Sequence, residues 1–171
     1  MSDEAAPIGV VQGATTEEIQ SLFRDFVARL GVSARVVGVV EDDMLTSLAD
    51  GRQFPLYQDL GACASSCALD PQGLVLAGEA VREGIAVGCD LVVLSKFGKL
   101  EAENGSGLMA AFVTAIEAGV PVLTSVAPRF AAPWAAFAAP FYTTLAPHPA
   151  ALDEWWRSVA ASHCFDTTKQ G

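Results

Sequence analysis

Basic side chains are scarce in this sequence. Ten lysines and arginines stand against twenty aspartates and glutamates, which gives a formal net charge of -10. Such an acidic surface repels the phosphate backbone of nucleic acids, and the chain has no basic patch interleaved with aromatic side chains. From this composition we expect that the protein does not bind nucleic acid.

Histidine and cysteine are also few, with two histidines and four cysteines. Cys63 and Cys67 lie in one loop, but a zinc site needs two more ligands near them, and both histidines lie far along the chain. No Ser–His–Asp or Cys–His spacing typical of nucleophilic catalysis is present. We therefore expect no metal site, and we leave open whether the protein is an enzyme.

Long apolar runs are missing as well. The longest, residues 130–141, is interrupted by Pro133 and Pro140 and is too short to span a bilayer. Residues 1–7 are polar and acidic, unlike a signal peptide, so we expect a cytoplasmic protein with reduced thiols. Since 51% of the residues are hydrophobic, we predict one domain over residues 1–171, with an ordered core from about 8 to 161.

Strand-like and helix-like segments alternate along this domain. The strand patterns lie at 8–11, 35–40, 54–58, 90–94 and 120–126, and helical patterns cover parts of 16–30, 74–86, 108–118, 134–139 and 151–161. Residues 90–94 are apolar without alternation, which is typical of a strand covered on both faces. The pattern predicts an α/β fold, a three-layer sandwich with a mostly parallel central sheet.

Ligands of open parallel sheets lie beyond the carboxyl ends of the strands. Three loops are expected at that edge, at residues 12–16, 95–107 and 124–128. We call residues 95–107 the lysine loop, because it holds Lys96 and Lys99, two of only three lysines in the chain. Lysines and glycine N–H groups on one loop, beside a following helix N-terminus, predict a site for a small anion.

The predicted ligand-binding residues supply charge, hydroxyls, backbone donors and one thiol. They are Gly13, Thr15, Thr16, Cys67, Ser95, Lys96, Gly98, Lys99, Gly105 and Gly107. Simpler roles stay open for several of them. Thr15 or Thr16 would serve as an N-cap, and the two lysines would pair with Glu101 and Glu103 on a solvated loop.

The central segment also carries a family resemblance. Residues 90–103, with Gly105 and Gly107 after them, resemble a bacterial family called domain of unknown function 2478, and residues 60–71 and 119–124 fit the same family. The resemblance covers residues 8 to 156. Its members are often encoded beside molybdate-transport or nitrogenase genes, which implies a role in molybdenum handling.

The same segment is similar, more distantly, to P-loop nucleoside-triphosphatases. Gly98-Lys99-Leu100-Glu101 matches a Gly-Lys-Met-Glu stretch of those proteins, but Ser95-Lys96 replaces their acidic pair. The first loop, residues 12–16, also lacks the P-loop lysine that contacts phosphates. The resemblance implies a P-loop-like fold with degenerate motifs and an anion bound without magnesium.

Three functions follow as hypotheses. The first is a protein that binds molybdate, another oxyanion or a nucleotide, without membrane insertion. The second is a nucleotide hydrolase or transferase that uses the same pocket. The third is an interaction module without a ligand, which forms a homo-oligomer or meets a partner protein through the 130–156 region and its Trp155 and Trp156 side chains.

Overall fold

The structure, a computed structural model, describes residues 6–56 and 70–168. The predicted Cys63–Cys67 loop lies outside these residues. The described strands are β1 (Ile8–Val11), β2 (Val36–Glu41), β3 (Met44–Ser47), β4 (Gln53–Pro55), β5 (Leu91–Val93), β6 (Val122–Ser125) and β7 (Tyr142–Leu145). The described helices are α1 (Thr16–Leu30), α2 (Pro71–Val87), α3 (Met109–Ala118), α4 (Ala131–Ala138) and α5 (Pro149–Thr168).

All seven strands form one sheet in the order β4-β3-β2-β5-β6-β1-β7. The pairs β2–β5, β5–β6, β6–β1 and β1–β7 are parallel, whereas β3 and β4 add an antiparallel edge. The sheet is therefore mostly parallel, as predicted. Because the parallel strands point the same way, the loops that follow β1, β5 and β6 emerge at one edge.

Apolar side chains cover both faces of the sheet. On one face Phe112 of α3 and Trp134 of α4 belong to a core that also contains Val92. On the other face Phe23 of α1 and Trp155 of α5 pack in a second core. Two helical layers around one sheet make the predicted three-layer sandwich.

Two short strands were not predicted. Met44–Ser47 lies in a stretch that looks like an acidic connection, yet it pairs with β2 on one side and β4 on the other. Tyr142–Leu145 pairs with β1 at the far edge of the sheet. Four-residue strands carry too little periodicity to be recognised, because their pairing depends on tertiary contacts.

Side chains cap the N-termini of α1 and α2, and the cap of α1 is one of the two predicted for that helix. The Thr15 hydroxyl accepts a hydrogen bond from the Glu18 N–H, and the Asp70 carboxylate accepts bonds from the Gln72 and Gly73 N–H groups. No helix within the described residues is long and apolar enough to cross a membrane.

The aromatic residues of the 130–156 region differ in burial: Trp156 is half-buried and Phe141 is 57% exposed, whereas two tryptophans lie inside the protein. Trp134 is 1% exposed and Trp155 is 4% exposed, so neither is free to meet another chain. The Trp155 indole N–H also donates to the Ala6 carbonyl at 3.0 Å. The prediction that Trp155 marks an interaction surface is therefore wrong; apolar packing against the sheet explains this side chain.

Candidate anion-binding cleft

A cleft of about 700 Å³ opens at the carboxyl ends of β1, β5 and β6. The three predicted loops meet there. Its lining comprises Gln12, Gly13, Ala14, Thr16 and Ile19, residues 96–100 and Asn104 of the lysine loop, and residues 125–130 after β6. A cleft of this size is large enough for a small phosphorylated molecule.

The charge of the lining is opposite to that of the whole chain. Lys96, Lys99 and Arg129 line the cleft, and no aspartate or glutamate is among the lining residues that the structure describes. The chain as a whole carries twice as many acidic as basic residues. A concave site with converging cations attracts anions, because its walls focus the positive potential.

The two lysines have different surroundings. The Lys96 Nζ lies 2.9 Å from Oε1 of Glu41, whose side chain is only 4% exposed. Lys99 is exposed and forms no ion pair within the described residues. The predicted alternative partners, Glu101 and Glu103, are therefore wrong for Lys96, which instead pairs with a glutamate at the end of β2.

A buried hydrogen-bond network positions the base of the cleft. The Gln20 amide accepts from the Glu41 N–H at 3.0 Å and donates to the Ser95 carbonyl at 2.8 Å. The Ser125 hydroxyl donates to the same carbonyl at 2.9 Å. These bonds join α1 to the ends of β2, β5 and β6, so the backbone that carries Lys96 is held from three sides.

Glu101 organises the rest of the lysine loop. Its carboxylate is 6% exposed and accepts hydrogen bonds from the Gly98 N–H at 2.8 Å and the Leu108 N–H at 2.9 Å. Gly107 has φ +65°, and a Cβ there would lie 2.0 Å from Glu101 Oε2. The glutamate therefore sits where only glycine leaves room.

This arrangement corrects the predicted role of the glycines. The Gly98 N–H donates to Glu101 and is not free for a ligand. The Gly105 N–H donates to the Leu100 carbonyl, and Gly107 makes room for Glu101. The following helix begins at Met109, and the Leu108 N–H at its start also serves Glu101. The Glu101 carboxylate thus occupies the Gly98 and Leu108 N–H groups, and the Leu100 carbonyl accepts from the Gly105 N–H.

Burial raises the pKa of the Glu101 carboxyl above its ordinary value. The hydrogen bonds from the Leu108 and Gly98 N–H groups, and the charge of Lys96, oppose that effect. Desolvation disfavours the carboxylate, whereas donors and a nearby cation favour it. The Glu101 carboxylate is thus bound by backbone N–H groups and is not exposed to solvent.

The first loop contributes less than predicted. Thr16 and Gly13 line the cleft, whereas Thr15 is occupied as the N-cap of α1. Ser95 is fully buried, and its hydroxyl has no hydrogen-bond partner in the described residues. Cys67 lies outside the described residues, and of the other nine predicted residues five line the cleft, namely Gly13, Thr16, Lys96, Gly98 and Lys99.

The family model described as "Protein of unknown function (DUF2478)" matches residues 8–155. The chain belongs to this family. The predicted resemblance is therefore confirmed.

Two known proteins resemble the chain more specifically. A molybdenum import ATP-binding protein, ModC 2 of Bradyrhizobium diazoefficiens, is 33% identical in an alignment of 157 residues, which covers 85% of this chain and 17% of that protein. The chain thus spans a small part of the length of this relative. The crystal structure of THEP1 from the hyperthermophile Aquifex aeolicus matches with a TM-score of 0.58 and 14% identity, covering 83% of this chain and 89% of that chain.

The structural likeness and the observed sheet confirm the predicted fold class, which is P-loop-NTPase-like. The sequence departs from the P-loop pattern at two places in this DUF2478 chain. No lysine stands in the loop after β1, and Ser95-Lys96 follows β5 where an acidic pair is expected. The chain therefore has a P-loop-like fold but lacks the P-loop lysine and the acidic pair.

Sequence reasoning missed one cation of the cleft and the carboxylate that pairs with another. Arg129 lies one residue beyond the third predicted loop, and it is the third cation of the lining. Glu41, the partner of Lys96, ends a strand that was predicted to stop at residue 40. A single arginine beyond a loop boundary gives no periodic signal, but its position after a parallel strand was available to the same edge argument.

Proposed function

We propose that this protein binds a small oxyanion or phosphorylated molecule in the cleft formed by the loops after β1, β5 and β6. The observation that supports it most directly is the lining itself, with three cations and no carboxylate in a chain of net charge -10. Lys99 and Arg129 would meet the anion, and Thr16 and Gln12 would add a hydroxyl and an amide. Charge-assisted hydrogen bonds are the strong ones in such sites.

Molybdenum handling is the biological role that we propose for this binding. Support comes from ModC 2, a molybdenum import ATP-binding protein of which a segment is 33% identical to this chain. Molybdate and tungstate are oxyanions, and their charge suits the cationic lining. Nucleotides are the other ligand class that the P-loop-like fold favours.

We infer that the bound molecule is not hydrolysed. P-loop enzymes hold the β- and γ-phosphates with a lysine and hold Mg²⁺ with a carboxylate. The loop after β1 has no lysine, and Lys96 follows β5 where a carboxylate would be needed. The alternative, a nucleotide hydrolase or transferase, requires these functions from other residues.

Thermal unfolding in the presence of molybdate, tungstate, phosphate, ATP or GTP tests the proposal. A ligand at a hundred times its Kd should stabilise the protein by about 2.7 kcal/mol. Lys99→Ala and Arg129→Ala should each weaken binding by about tenfold to a hundredfold, because each removes a charge-assisted hydrogen bond. Arg157→Ala is the matched control, since this arginine is exposed on α5 and does not line the cleft.

Two results would contradict the proposal. Binding that is equally insensitive to all three variants would place the ligand elsewhere. ATP or GTP turnover of about 1 s⁻¹ or faster, lost in Lys99→Ala, would favour the hydrolase instead.

A further inference from the structure

Among the three cations of the cleft, Lys96 alone is paired with a carboxylate in the described structure. Glu41 Oε1 lies 2.9 Å from its Nζ, and the side chains are 34% exposed for Lys96 and 4% exposed for Glu41. Glu41 does not line the cleft itself, so the lysine shields its carboxylate from the ligand space. Salt only weakly screens the attraction between a half-buried lysine and a buried carboxylate.

The pair is built into the fold. The Glu41 N–H donates to Gln20 at 3.0 Å, and the Glu41 carbonyl accepts from the Arg24 guanidinium at 2.8 Å. Its second carboxylate oxygen, Oε2, is buried without a hydrogen-bond partner in the described residues. The Lys96 ammonium is therefore the group that compensates this buried charge, and Lys96 cannot leave it without a large cost.

Lys96 also lies between two clefts, one with a mainly basic lining and the other with a mainly acidic lining. The neighbouring cleft, about 470 Å³ in volume, shares Thr16 and Lys96 with the first and is lined by one arginine and four acidic residues. Those residues are Arg24, Glu17, Glu41, Asp42 and Asp43. Glu17, Asp42 and Asp43 are exposed and therefore screened by solvent, so Glu41 is the carboxylate of this neighbouring cleft with the strongest effect on Lys96.

The charges can then be counted. Of the three lining cations, Glu41 offsets Lys96, which leaves a charge of +2 on Lys99 and Arg129. The other buried carboxylate near Lys96, Glu101, is bound by the Gly98 and Leu108 N–H groups and is the same in every variant described below. A dianion neutralises such a site, whereas a monoanion leaves one positive charge unmatched. Coulomb energy is proportional to the product of the charges, so the site attracts a dianion about twice as strongly as a monoanion of the same shape.

We propose that Glu41 is an internal counter-ion that offsets the charge of Lys96 and so limits the affinity of the cleft for anions, most strongly for dianions such as a tetrahedral oxyanion or a terminal phosphate group. Glu41 acts through Lys96 and does not line the cleft, so it is a positioning residue that tunes affinity. This inference rests on the proposed function, because it concerns anion affinity in the same cleft.

Molybdate and perrhenate are suitable probes, since both are tetrahedral tetraoxo anions that carry two charges and one charge, respectively. Calorimetric titration would measure both affinities in the wild type, Glu41→Gln, Lys96→Met and the double variant. The wild type should prefer molybdate. Glu41→Gln leaves Lys96 uncompensated, so its molybdate affinity should rise about tenfold and its perrhenate affinity should rise less.

The double variant separates charge from contact. Lys96→Met alone should lower molybdate affinity, since it leaves net +1 beside an uncompensated carboxylate. Glu41→Gln with Lys96→Met restores net +2 and should return the affinity to within about threefold of the wild type. Thermal unfolding of each variant shows whether it is folded, and Glu41→Gln keeps the shape of the side chain and every backbone hydrogen bond at residue 41.

The outcomes distinguish this inference from the proposed function. Wild-type binding with no change in Glu41→Gln, or with a rise in perrhenate affinity as large as the rise in molybdate affinity, overturns the counter-ion and leaves the anion site. Binding in Glu41→Gln but not in the wild type supports the counter-ion and contradicts the proposed function. Absence of binding in both overturns both. A double variant as weak as Lys96→Met would make Lys96 a direct ligand contact and would refute the charge count.

Discussion

The lysine loop and the loop after β1 reach the same cleft but are held in different ways. In the lysine loop, the buried Glu101 carboxylate accepts two backbone N–H bonds and draws residues 98 and 108 together. In the loop after β1, the exposed Thr15–Glu18 capping box fixes the start of α1, and the Gln12 amide donates to the Val126 carbonyl at 2.9 Å. One loop depends on a buried charge, and the other on local polar contacts.

This difference shows that glycines near a cleft need not face its ligand. A bound anion and a buried glutamate make the same demands on a loop, namely N–H donors and space beside the backbone. In the lysine loop the protein's own carboxylate meets those demands. The groups that could bind a ligand are then the exposed side chains of Lys99 and Arg129 at the rim of the cleft.

Gly107→Ala should have the largest effect on stability and would break the lysine loop. The new Cβ would lie 2.0 Å from Glu101 Oε2, and the residue has φ +65°. Backbone strain together with the displaced carboxylate should cost about 3 kcal/mol, measured by urea denaturation.

Gly105→Ala is the matched control for this change. Gly105 has nearly the same φ, +62°, but a Cβ there meets nothing within 4 Å. Only the left-handed backbone then matters, and the expected loss is about 1 kcal/mol. Equal losses at the two glycines would show that the contact with Glu101 contributes nothing.

Lys96→Ala should have the next largest effect and would sharpen the contrast between the two lysines. It leaves the Glu41 carboxylate, 4% exposed, without its cation. An unsatisfied buried charged group costs about 2 kcal/mol in the free energy of unfolding. Lys99→Ala, the control, removes an exposed and unpaired lysine and should stay within about 0.5 kcal/mol. This revises the sequence-based prediction that both lysines are paired only at the surface, and similar losses at both positions would contradict it.

Much of the fold could be predicted because its signals are local. Residues 90–94 are apolar without interruption, so a strand buried on both faces was expected, and Leu91 and Val92 indeed belong to cores on opposite faces. Thr15 and Asp70 precede helical patterns and cap them. The convergence of three loops followed from parallel strands alone.

The charges of the cleft could not be assigned in the same way. Glu41 lies 55 residues before Lys96, and their contact exists only because β2 pairs with β5. Glu101 was expected on a solvated loop, since a sequence does not show whether a glutamate is buried. The pairing of ionisable groups depends on tertiary distances of a few ångströms, which motif spacing does not encode.

Thr15→Ala should have the smallest effect and would sharpen the account of the loop after β1. The Thr15 hydroxyl accepts from the Glu18 N–H at 3.2 Å, and the Glu18 carboxylate accepts from the Thr15 N–H at 3.1 Å. Removing the hydroxyl should cost about 1 kcal/mol of stability, the usual value for an N-cap. Anion affinity should not change, because Thr15 does not line the cleft.

Thr16→Ala is the control with the opposite pattern, since Thr16 is exposed and lines the cleft. Loss of its hydroxyl should weaken binding and leave the melting temperature nearly unchanged. If Thr15→Ala weakened binding as much as Thr16→Ala, the hydroxyl would have to serve the ligand as well as the helix, and this loop would be a larger part of the site than its contacts indicate.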